Sequence, residues 1–302
     1  MDTERSSPRY SGIDLWPSAD ILDAMIEAQF AAVAAVRGAR GALERAALAI
    51  APRLGEGGRL VYVGAGTSGR LAVQDGAELM PTFGWPQDRL LLLIAGGPDA
   101  LLRAIEGAED ESERAAVLMR QHAIAANDVV IAVAASGTTP FTLASLRAGN
   151  ERRALTIGIA NNPNTPLLEE AEHPIWLDTG AELIAGSTRM KAGTAQRIAL
   201  TLLSSLVMIR LGRVYDGLMV DVQAVNAKLV LRSENMLMQL TGASRDGVRD
   251  ALRRAKGSVK IALLLLEGCA PDEAARLLDR AGGQLRPAMA SLAARRAGRK
   301  PA

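Results

Sequence analysis

The stretch that decides the fold of this chain is Val61-Tyr62-Val63-Gly64-Ala65-Gly66-Thr67-Ser68-Gly69-Arg70. An apolar run ends at glycine, two hydroxyl side chains follow, and a helix-like segment begins. Glycine permits a tight turn and a close backbone approach, and the free amides that open a helix bind anions. The stretch therefore predicts a strand, an anion-binding turn and a helix.

A second stretch, residues 131–140, repeats this plan. The apolar run from Ile131 is followed by hydroxyl side chains, and Pro140 suits the first turn of a helix. In an open parallel sheet such turns lie at the carboxyl ends of the strands, where ligands bind. We therefore expect the two turns to form two walls of one phosphate pocket. The candidate phosphate-binding residues are Gly66, Thr67, Ser68, Ser136, Gly137, Thr138 and Thr139.

The glycines at 64, 66 and 69 also match the spacing of dinucleotide-binding turns. That site needs an acidic residue near the end of the second strand. The second predicted strand, Leu90 to Ile94, continues into Ala95-Gly96-Gly97 without one. A P-loop needs Gly-Lys followed by Ser or Thr, and this turn has Gly69-Arg70. The residues favour a monophosphate ligand over a nucleotide.

Apolar runs and helical periodicity alternate along the chain from residue 60. Strands are predicted near residues 60–63, 90–94, 129–134, 154–159 and 174–177. Most are continuous apolar runs, which is typical of parallel strands covered on both faces. Helices are predicted between them, near residues 69–79, 99–107, 110–124 and 139–149. The fold class is α/β, a doubly wound parallel sheet of about five strands flanked by helices.

Three regions are expected along the chain. Residues 1–54 form an irregular arm and two helices, residues 55–240 the phosphate-binding sheet domain, and residues 241–302 a small helical appendage. The second region is predicted to end in long helices at about 189–211 and 218–240. Short helices separated by glycines are predicted in the third region.

Bulk composition excludes several classes of protein. The formal net charge of +2 on 302 residues is too small to argue for nucleic-acid binding, and a single cysteine excludes an intramolecular disulfide framework. Polar residues interrupt the longest apolar stretch, 198–211, which falls short of the ~18 residues that a membrane span needs. The opening residues lack the pattern of a signal sequence. We expect a soluble cytoplasmic protein.

Carboxylates are the better candidates for proton transfer, since the two histidines, His122 and His173, lie where structural roles are more common. Glu78 precedes Leu79 and Met80, so we expect it to be partly shielded from water, as suits a general acid. Glu109 lies in an acidic run that composition alone assigns to a solvated face.

Lys191 lies in a small polar turn at the start of an apolar helix, where a cation opposes the helix dipole. One explanation is a nearby anion, either the substrate or Glu182. The other is ordinary exposure of Lys191 at the surface. Metal-ligating residue types are too scattered to propose a metal site.

Seven segments occur in one order that resembles a known family: residues 64–70, 75–84, 94–97, 106–110, 134–140, 186–194 and 218–222. Together they are similar to the N-acetylmuramic acid 6-phosphate etherases, lyases of the sugar isomerase (SIS) fold that act in peptidoglycan recycling. The likeness runs from about residue 55 to residue 290. Several long motifs in order are more specific than one glycine turn.

The resemblance implies an activity and a set of residues. The expected reaction cleaves the lactyl ether of N-acetylmuramic acid 6-phosphate, giving N-acetylglucosamine 6-phosphate and D-lactate, without a metal or redox cofactor. Glu78 and Glu109 match the two catalytic glutamates, and the hydroxyl turns match the phosphate-binding turns. We also expect Ser187 and Lys191 to contribute to substrate binding. The family implies a homodimer with the site near the subunit boundary.

The chain departs from the family pattern in two places. Leu79-Met80 stands where a small or polar residue and proline are usual, and the N-terminal arm is divergent. Two other functions compete with the lyase: a regulatory sugar-phosphate sensor similar to glucokinase regulatory protein, and an aldose-ketose isomerase of the same fold. Release of D-lactate from the etherase substrate distinguishes the lyase from both.

Overall fold

The computed structural model of the protein describes residues 1–222 and 227–298, and side chains as far as residue 295. Five strands form one parallel sheet in the order β2-β1-β3-β4-β5. Their bounds are Leu60–Gly64 for β1, Leu90–Ile94 for β2, Val129–Val133 for β3, Leu155–Ala160 for β4 and His173–Trp176 for β5. The five predicted strands and their parallel arrangement are confirmed.

Helices connect and flank the strands. In chain order they are α1 Ser18–Gly38, α2 Arg40–Gly55, α3 Gly66–Ala77, α4 Leu79–Phe83, α5 Ser112–Gln121, α6 Pro140–Glu151, α7 Pro166–Glu170, α8 Lys191–Arg210, α9 Ala227–Thr241, α10 Arg245–Arg254, α11 Val259–Leu266, α12 Pro271–Arg280 and α13 Leu285–Gly298. A short antiparallel hairpin, β6 Val214–Tyr215 and β7 Leu218–Met219, precedes α9. Single 3-10 turns include Asp2–Glu4, Pro98–Leu101 and Ala108–Asp110.

Two compact units make up the chain. The first comprises residues 1–77 and 87–207 and contains the parallel sheet. The second comprises residues 78–86 and the chain from residue 208 onward, with the hairpin and helices α9 to α13. The domain boundaries predicted from sequence stay predictions.

The position of β1 in the sheet determines what lies at the sheet's carboxyl edge. β1 pairs with β2 on one side and β3 on the other, and Gly64 is in register with both Ile94 and Val133. Strands β1 and β3 are fully buried. Because neighbouring parallel strands end at the same edge, the turns after β1 and β3 lie side by side.

The helix predicted near residues 99–107 is wrong beyond its first turn. Only Pro98–Leu101 is helical, as a 3-10 turn, and irregular backbone follows until Ala108–Asp110. Gly97 and Gly107, which flank this segment, have positive φ angles of 70° each. These angles leave the right-handed helical region, so no helix extends through either residue.

The helix predicted at about 218–240 is also wrong at its start. Asp216 and Gly217 have φ angles of 50° and 75°, and they connect β6 to β7. Two consecutive positive φ angles between paired strands are typical of a type I′ hairpin turn, which Asp-Gly favours. The helix α9 begins at Ala227 among the described residues, and residues 223–226 of the predicted helix lie outside them.

In the second unit Arg213 contacts the end of α4 and the residues that follow it. Its guanidinium donates to the carbonyl oxygens of Phe83 (2.8 Å) and Gly84 (2.9 Å) and stacks on the ring of Trp85, with 5.0 Å to the ring centroid. Lys260, buried in this unit, bonds Asp221, and burial lowers the pKa of its ammonium although Asp221 opposes this. These contacts satisfy charges that an apolar interior would otherwise disfavour.

Helix α8 is long and apolar enough to cross a membrane by length and composition alone. However, 56% of its apolar window is buried inside the fold, as in the core helix of a globular protein. Its polar residues Thr201 and Ser204 each donate to Asp75 Oδ1 of α3 at 3.3 Å. The helix therefore contributes both apolar packing and hydrogen bonds to the first unit.

Asp75 is a buried carboxyl group in this interior. Tyr62 Oη of β1 donates to its Oδ2 at 2.9 Å, and Arg197 Nη1 lies 3.7 Å from its Oδ1. Burial raises the pKa of Asp75, and the hydrogen bonds from Tyr62 and Ser204 and the charge of Arg197 only partly oppose that rise. The folded state therefore favours the protonated form more than the unfolded chain does.

This predicts how stability depends on pH at Asp75. With a raised folded pKa, the contribution of Asp75 is fully present below its unfolded pKa and is lost as pH rises through the folded value. The Asp75→Asn variant has no titrating group at this position, so the free energy of unfolding of the variant should rise relative to wild type as the pH increases above about 4, the unfolded pKa of Asp. Urea unfolding at several pH values measures the difference. A difference that stays constant with pH would contradict the raised pKa.

Candidate functional site

Helix α3 begins almost in contact with the end of β1. A Cβ built on Gly69 would lie 2.8 Å from both the carbonyl carbon and the oxygen of Gly64, and one on Gly64 would lie 2.8 Å from Gly69 Cα. Only glycine at both positions allows this approach. The first turn of α3 consequently presents Thr67 and Ser68, with unpaired helical amides, at the carboxyl edge of the sheet.

The turn after β3 is held by its own hydroxyl groups. Ser136 Oγ accepts a hydrogen bond from the Thr138 amide at 3.2 Å and lies 3.3 Å from Thr139 Oγ1. Gly137 has a φ of 72°, and a Cβ there would lie 2.2 Å from Thr165 Oγ1. Glycine is therefore required at this position by both backbone angle and space. Helix α6 begins directly after the turn, at Pro140.

The two turns line one cavity of about 440 Å³ in the first unit. Its described lining is mostly polar and comes from five segments of the chain. These residues are Glu4, Ala65, Gly66, Thr67, Ser68, Glu109, Asp110, Ala134, Ala135, Ser136, Thr138, Thr139, Pro140 and Thr188. The structure thus brings together six of the seven predicted phosphate-binding residues, with Gly137 inside the turn that carries the others.

The charged side chains in the described lining of this cavity are all negative. Three carboxylates, Glu4, Glu109 and Asp110, are among the described lining residues, and no lysine or arginine is among them. A phosphate here would be held by hydroxyl groups and by the amides at the starts of α3 and α6, which carry partial positive charge. The carboxylates would then face the remainder of the ligand, because they repel its phosphate.

Glu109 reaches this cavity from the loop between β2 and β3. It lies in the 3-10 turn Ala108–Asp110, which packs against α6. Glu78 follows the last residue of α3, belongs to the second unit and is exposed, so the expected shielding by Leu79 and Met80 is not seen. Leu79 itself is buried. The pairing of Glu78 with Glu109 stays a prediction.

Lys191 has an anion beside it, and that anion is Glu182. The buried Glu182 carboxylate accepts hydrogen bonds from the amides of Lys191 (3.3 Å) and Ala192 (2.9 Å) at the start of α8. Burial lowers the pKa of Lys191, while the charge of Glu182 opposes that change. Burial also raises the pKa of Glu182. Of the two predicted anions, Glu182 is the one that the described residues supply.

Neither Ser187 nor Lys191 is among the described residues that line the 440 Å³ cavity, and their role in substrate binding stays a prediction. Thr188 lines it instead. The residue predicted from the sequence was Ser187 and not its neighbour Thr188. No pattern in the sequence pointed to Glu4.

Comparison with known proteins places the chain among sugar-phosphate proteins. Residues 43–150 match the glucokinase regulatory protein N-terminal SIS domain, and residues 108–206 match the SIS domain. An N-acetylmuramic acid 6-phosphate etherase from Deinococcus radiodurans is 50% identical over 94% of this chain and 93% of its own length. One of the same name from Streptomyces coelicolor is 44% identical over 96% and 94%.

Gly69→Ala should damage the cavity through the contact between β1 and α3. The new Cβ would meet Gly64 backbone and Ile94 Cγ1 at 2.8 Å, so main chain must move. Overpacking of this kind costs about 1–3 kcal/mol of stability. Displacement of the Ser68 turn should weaken binding of inorganic phosphate at least about tenfold, because hydrogen bonds to a charged group are lost. Urea unfolding and calorimetric titration measure the two effects.

Gly38→Ala is the matched control for this substitution. Gly38 is the last residue of α1, and nothing lies within 4 Å of a Cβ built on it. The alanine should stabilise the protein by about 0.5–1 kcal/mol and leave phosphate binding unchanged. If Gly69→Ala behaves like this control, the close contact of Gly64 and Gly69 does not govern the cavity.

Proposed function

The chain belongs to the N-acetylmuramic acid 6-phosphate etherase family, and from that premise we propose that its 440 Å³ cavity binds the substrate and that Glu78 and Glu109 transfer the protons. The protein is a carbon–oxygen lyase of amino-sugar recycling. It cleaves the D-lactyl ether of N-acetylmuramic acid 6-phosphate and yields N-acetylglucosamine 6-phosphate and D-lactate.

The reaction is an elimination followed by the addition of water. In the ring-opened aldehyde, the carbonyl at C1 acidifies the proton at C2, which a base removes. Lactate then leaves C3 with a proton from an acid, and water adds at C3 of the conjugated product. Each step moves a proton to or from carbon or oxygen, and positioned carboxyl groups carry out such transfers.

The placement of Glu109 carries this proposal. Glu109 lines the same cavity as Ser68 and Ser136, so a sugar held by its phosphate at the two turns would extend past a residue that can transfer protons. The hydroxyl groups and helix amides bind the phosphate without a lining cation among the described residues. Glu109 is therefore available for chemistry, since no lysine or arginine in the described lining neutralises it.

Glu78 is assigned to the site of a second subunit. It stands ten residues after Ser68, directly beyond α3, and ten residues of α-helix rise about 15 Å. A glutamate side chain is much shorter than that distance. We therefore propose a homodimer in which Glu78 of one subunit and Glu109 of the other serve one substrate.

The surface of α1 supports a homodimer. Leu22, Ile26, Phe30 and Val33 recur at helical spacing, and between 53% and 70% of each side chain is exposed in the single chain. We call these four residues the α1 stripe. A continuous apolar face of this kind marks a protein contact, and a second copy of the chain buries it symmetrically in a two-fold dimer. The lyase is proposed to act in the cytoplasm, where its phosphorylated substrate is retained.

Replacing either glutamate should abolish most turnover. Glu109→Gln and Glu78→Gln each remove a proton-transfer group and should lower D-lactate release from N-acetylmuramic acid 6-phosphate at least about 100-fold. Glu113→Gln is the matched control, because Glu113 is exposed on the first turn of α5 outside the cavity, and it should keep the wild-type rate. A near-normal rate in either variant removes that residue from the mechanism.

Mixing the two inactive variants tests the shared site. If each site takes Glu109 from one subunit and Glu78 from the other, a mixed dimer of the two variants contains one intact site and one doubly impaired site. Random re-association makes half of the dimers mixed, so activity should recover to about a quarter of wild type. D-lactate release after joint dissociation and re-association measures the recovery.

The control for this experiment alters the α1 stripe. Phe30→Asp in both variants places a charge in the apolar face, so dimers and the recovered activity should both be lost. Sedimentation follows the dimer. Mixed dimers that form without any recovery would place Glu78 in the site of its own subunit or outside catalysis.

A further inference from the structure

Residues 1–5 are fixed against the edge of the sheet by Thr3. The Thr3 amide donates to Asn162 Oδ1 (3.2 Å), and Asn162 Nδ2 donates to Thr3 Oγ1 (2.9 Å). The Gly186 amide donates to the Thr3 carbonyl oxygen (3.0 Å). Asn162 Nδ2 also donates to the Ala135 carbonyl oxygen at 2.9 Å, beside the Ser136 turn. Both Thr3 and Asn162 are buried. The segment is therefore a built part of the cavity wall.

This anchoring places the Glu4 side chain at the cavity. Glu4 Oε2 lies 2.8 Å from the position that a Cβ on Gly186 would occupy, so the carboxylate crosses over the Gly186 backbone. It lines the cavity with Thr188, two residues along that turn. A side chain larger than that of glycine at residue 186 would displace the carboxylate. Gly186 has a φ of 77°, which glycine also favours.

The Glu4 carboxylate has no cation of its own among the residues that the structure describes. The neighbouring Arg5 lies 3.7 Å from Asp2 Oδ1, and no ion pair joins a lysine or arginine to Glu4. Three hydrogen bonds hold Thr3, the neighbour of Glu4, in place. The Glu4 carboxylate beside the cavity forms no salt bridge among the described residues and is therefore available to a ligand. Its chemistry then selects which part of the ligand it meets.

That part is not the phosphate. Charges of the same sign repel, so the phosphate lies at the hydroxyl turns and away from Glu4. The lactyl carboxylate is excluded from Glu4 for the same reason. What remains of the substrate are neutral donors, namely the sugar hydroxyl groups and the acetamido N–H.

We propose that Glu4 is a substrate-binding residue whose carboxylate accepts hydrogen bonds from the hydroxyl or acetamido N–H groups of the sugar. This assignment rests on the proposed function of the cavity. It makes residues 1–5 part of the specificity of the site, since Glu4 distinguishes a sugar phosphate from phosphate alone. Glu4 holds the sugar and takes no part in the proton transfers.

The test compares two ligands, inorganic phosphate and N-acetylglucosamine 6-phosphate, by calorimetric titration. In Glu4→Ala the Kd of the sugar phosphate should rise about 10- to 100-fold, the loss expected for hydrogen bonds to a charged acceptor. In Glu4→Gln, which keeps a neutral acceptor, the rise should be smaller. Inorganic phosphate should bind both variants as tightly as wild type or more tightly, because a repelling charge has gone.

Two further variants distinguish direct contact between Glu4 and the ligand from a structural role of residues 1–5. Asp2→Ala removes a carboxylate from the same segment that is not among the described lining residues, and it should leave both Kd values unchanged. Thr3→Val removes the hydroxyl that Asn162 bonds, so it should weaken sugar-phosphate binding through loss of the Glu4 position. In the Glu4→Ala background, Thr3→Val should then have no additional effect on the sugar phosphate.

Several results would overturn the assignment. Equal loss of both ligands in Glu4→Ala would show that residue 4 only supports the cavity, and unchanged binding of both would show that it touches no ligand. The proposed function is tested by a different measurement, D-lactate release by the wild-type protein, so its failure can be told apart from failure of the Glu4 assignment. An enzyme that releases D-lactate but has unchanged sugar-phosphate binding in Glu4→Ala refutes Glu4 alone.

Discussion

The close contact between Gly64 and Gly69 is the constraint on which the rest of the site depends. There the chain leaves a buried strand and starts a helix within a backbone distance that excludes any Cβ. The first helical turn is therefore fixed relative to the sheet, and its amides and hydroxyl groups point to the edge where β3 also ends. A second turn, shaped by Gly137 against Thr165, completes the edge.

In this cavity, helix dipoles and charged side chains are proposed to face different parts of the ligand. In our proposal, hydroxyl groups and helix amides bind the phosphate, and the described lining contains three carboxylates and no lysine or arginine. A lysine at the same place would hold the phosphate more strongly but would also pair with Glu109. Because the described lining holds no lysine or arginine, no cation in it pairs with Glu109, as the proposed role of Glu109 in proton transfer requires.

The sequence predicted the sheet and the hydroxyl turns well because both depend on local features. Continuous apolar runs reveal parallel strands, and glycine next to hydroxyl groups reveals the turns. The segment at 99–107 was misjudged, because two glycines with positive φ flank it. The start of the helix predicted at 218 was misjudged because Asp216-Gly217 makes a hairpin and not merely a break.

Features that join distant parts of the chain were beyond sequence reasoning. Thr3 meets Asn162 across 159 residues, and no local pattern marks either residue for the other. The place of Glu4 in the cavity follows only from that contact. Lys191 was an intermediate case, since a cation opening a helix indicated a nearby anion but left the choice between substrate and Glu182. The structure supplies Glu182, which accepts the first amides of α8.

The Glu182 cap connects the interior of the first unit to the cavity. A buried carboxylate is costly unless it is hydrogen-bonded, and the amides of Lys191 and Ala192 meet that need while Glu182 supplies the cap of α8. The cap fixes the preceding turn, in which Gly186 bonds Thr3 and Thr188 lines the cavity. A change at Glu182, which is not among the described lining residues, would therefore reach the cavity through this turn and the Thr3 anchor. Hydrogen bonds thus connect the wall that carries Glu4 to the start of α8, where Lys191 and Ala192 are buried.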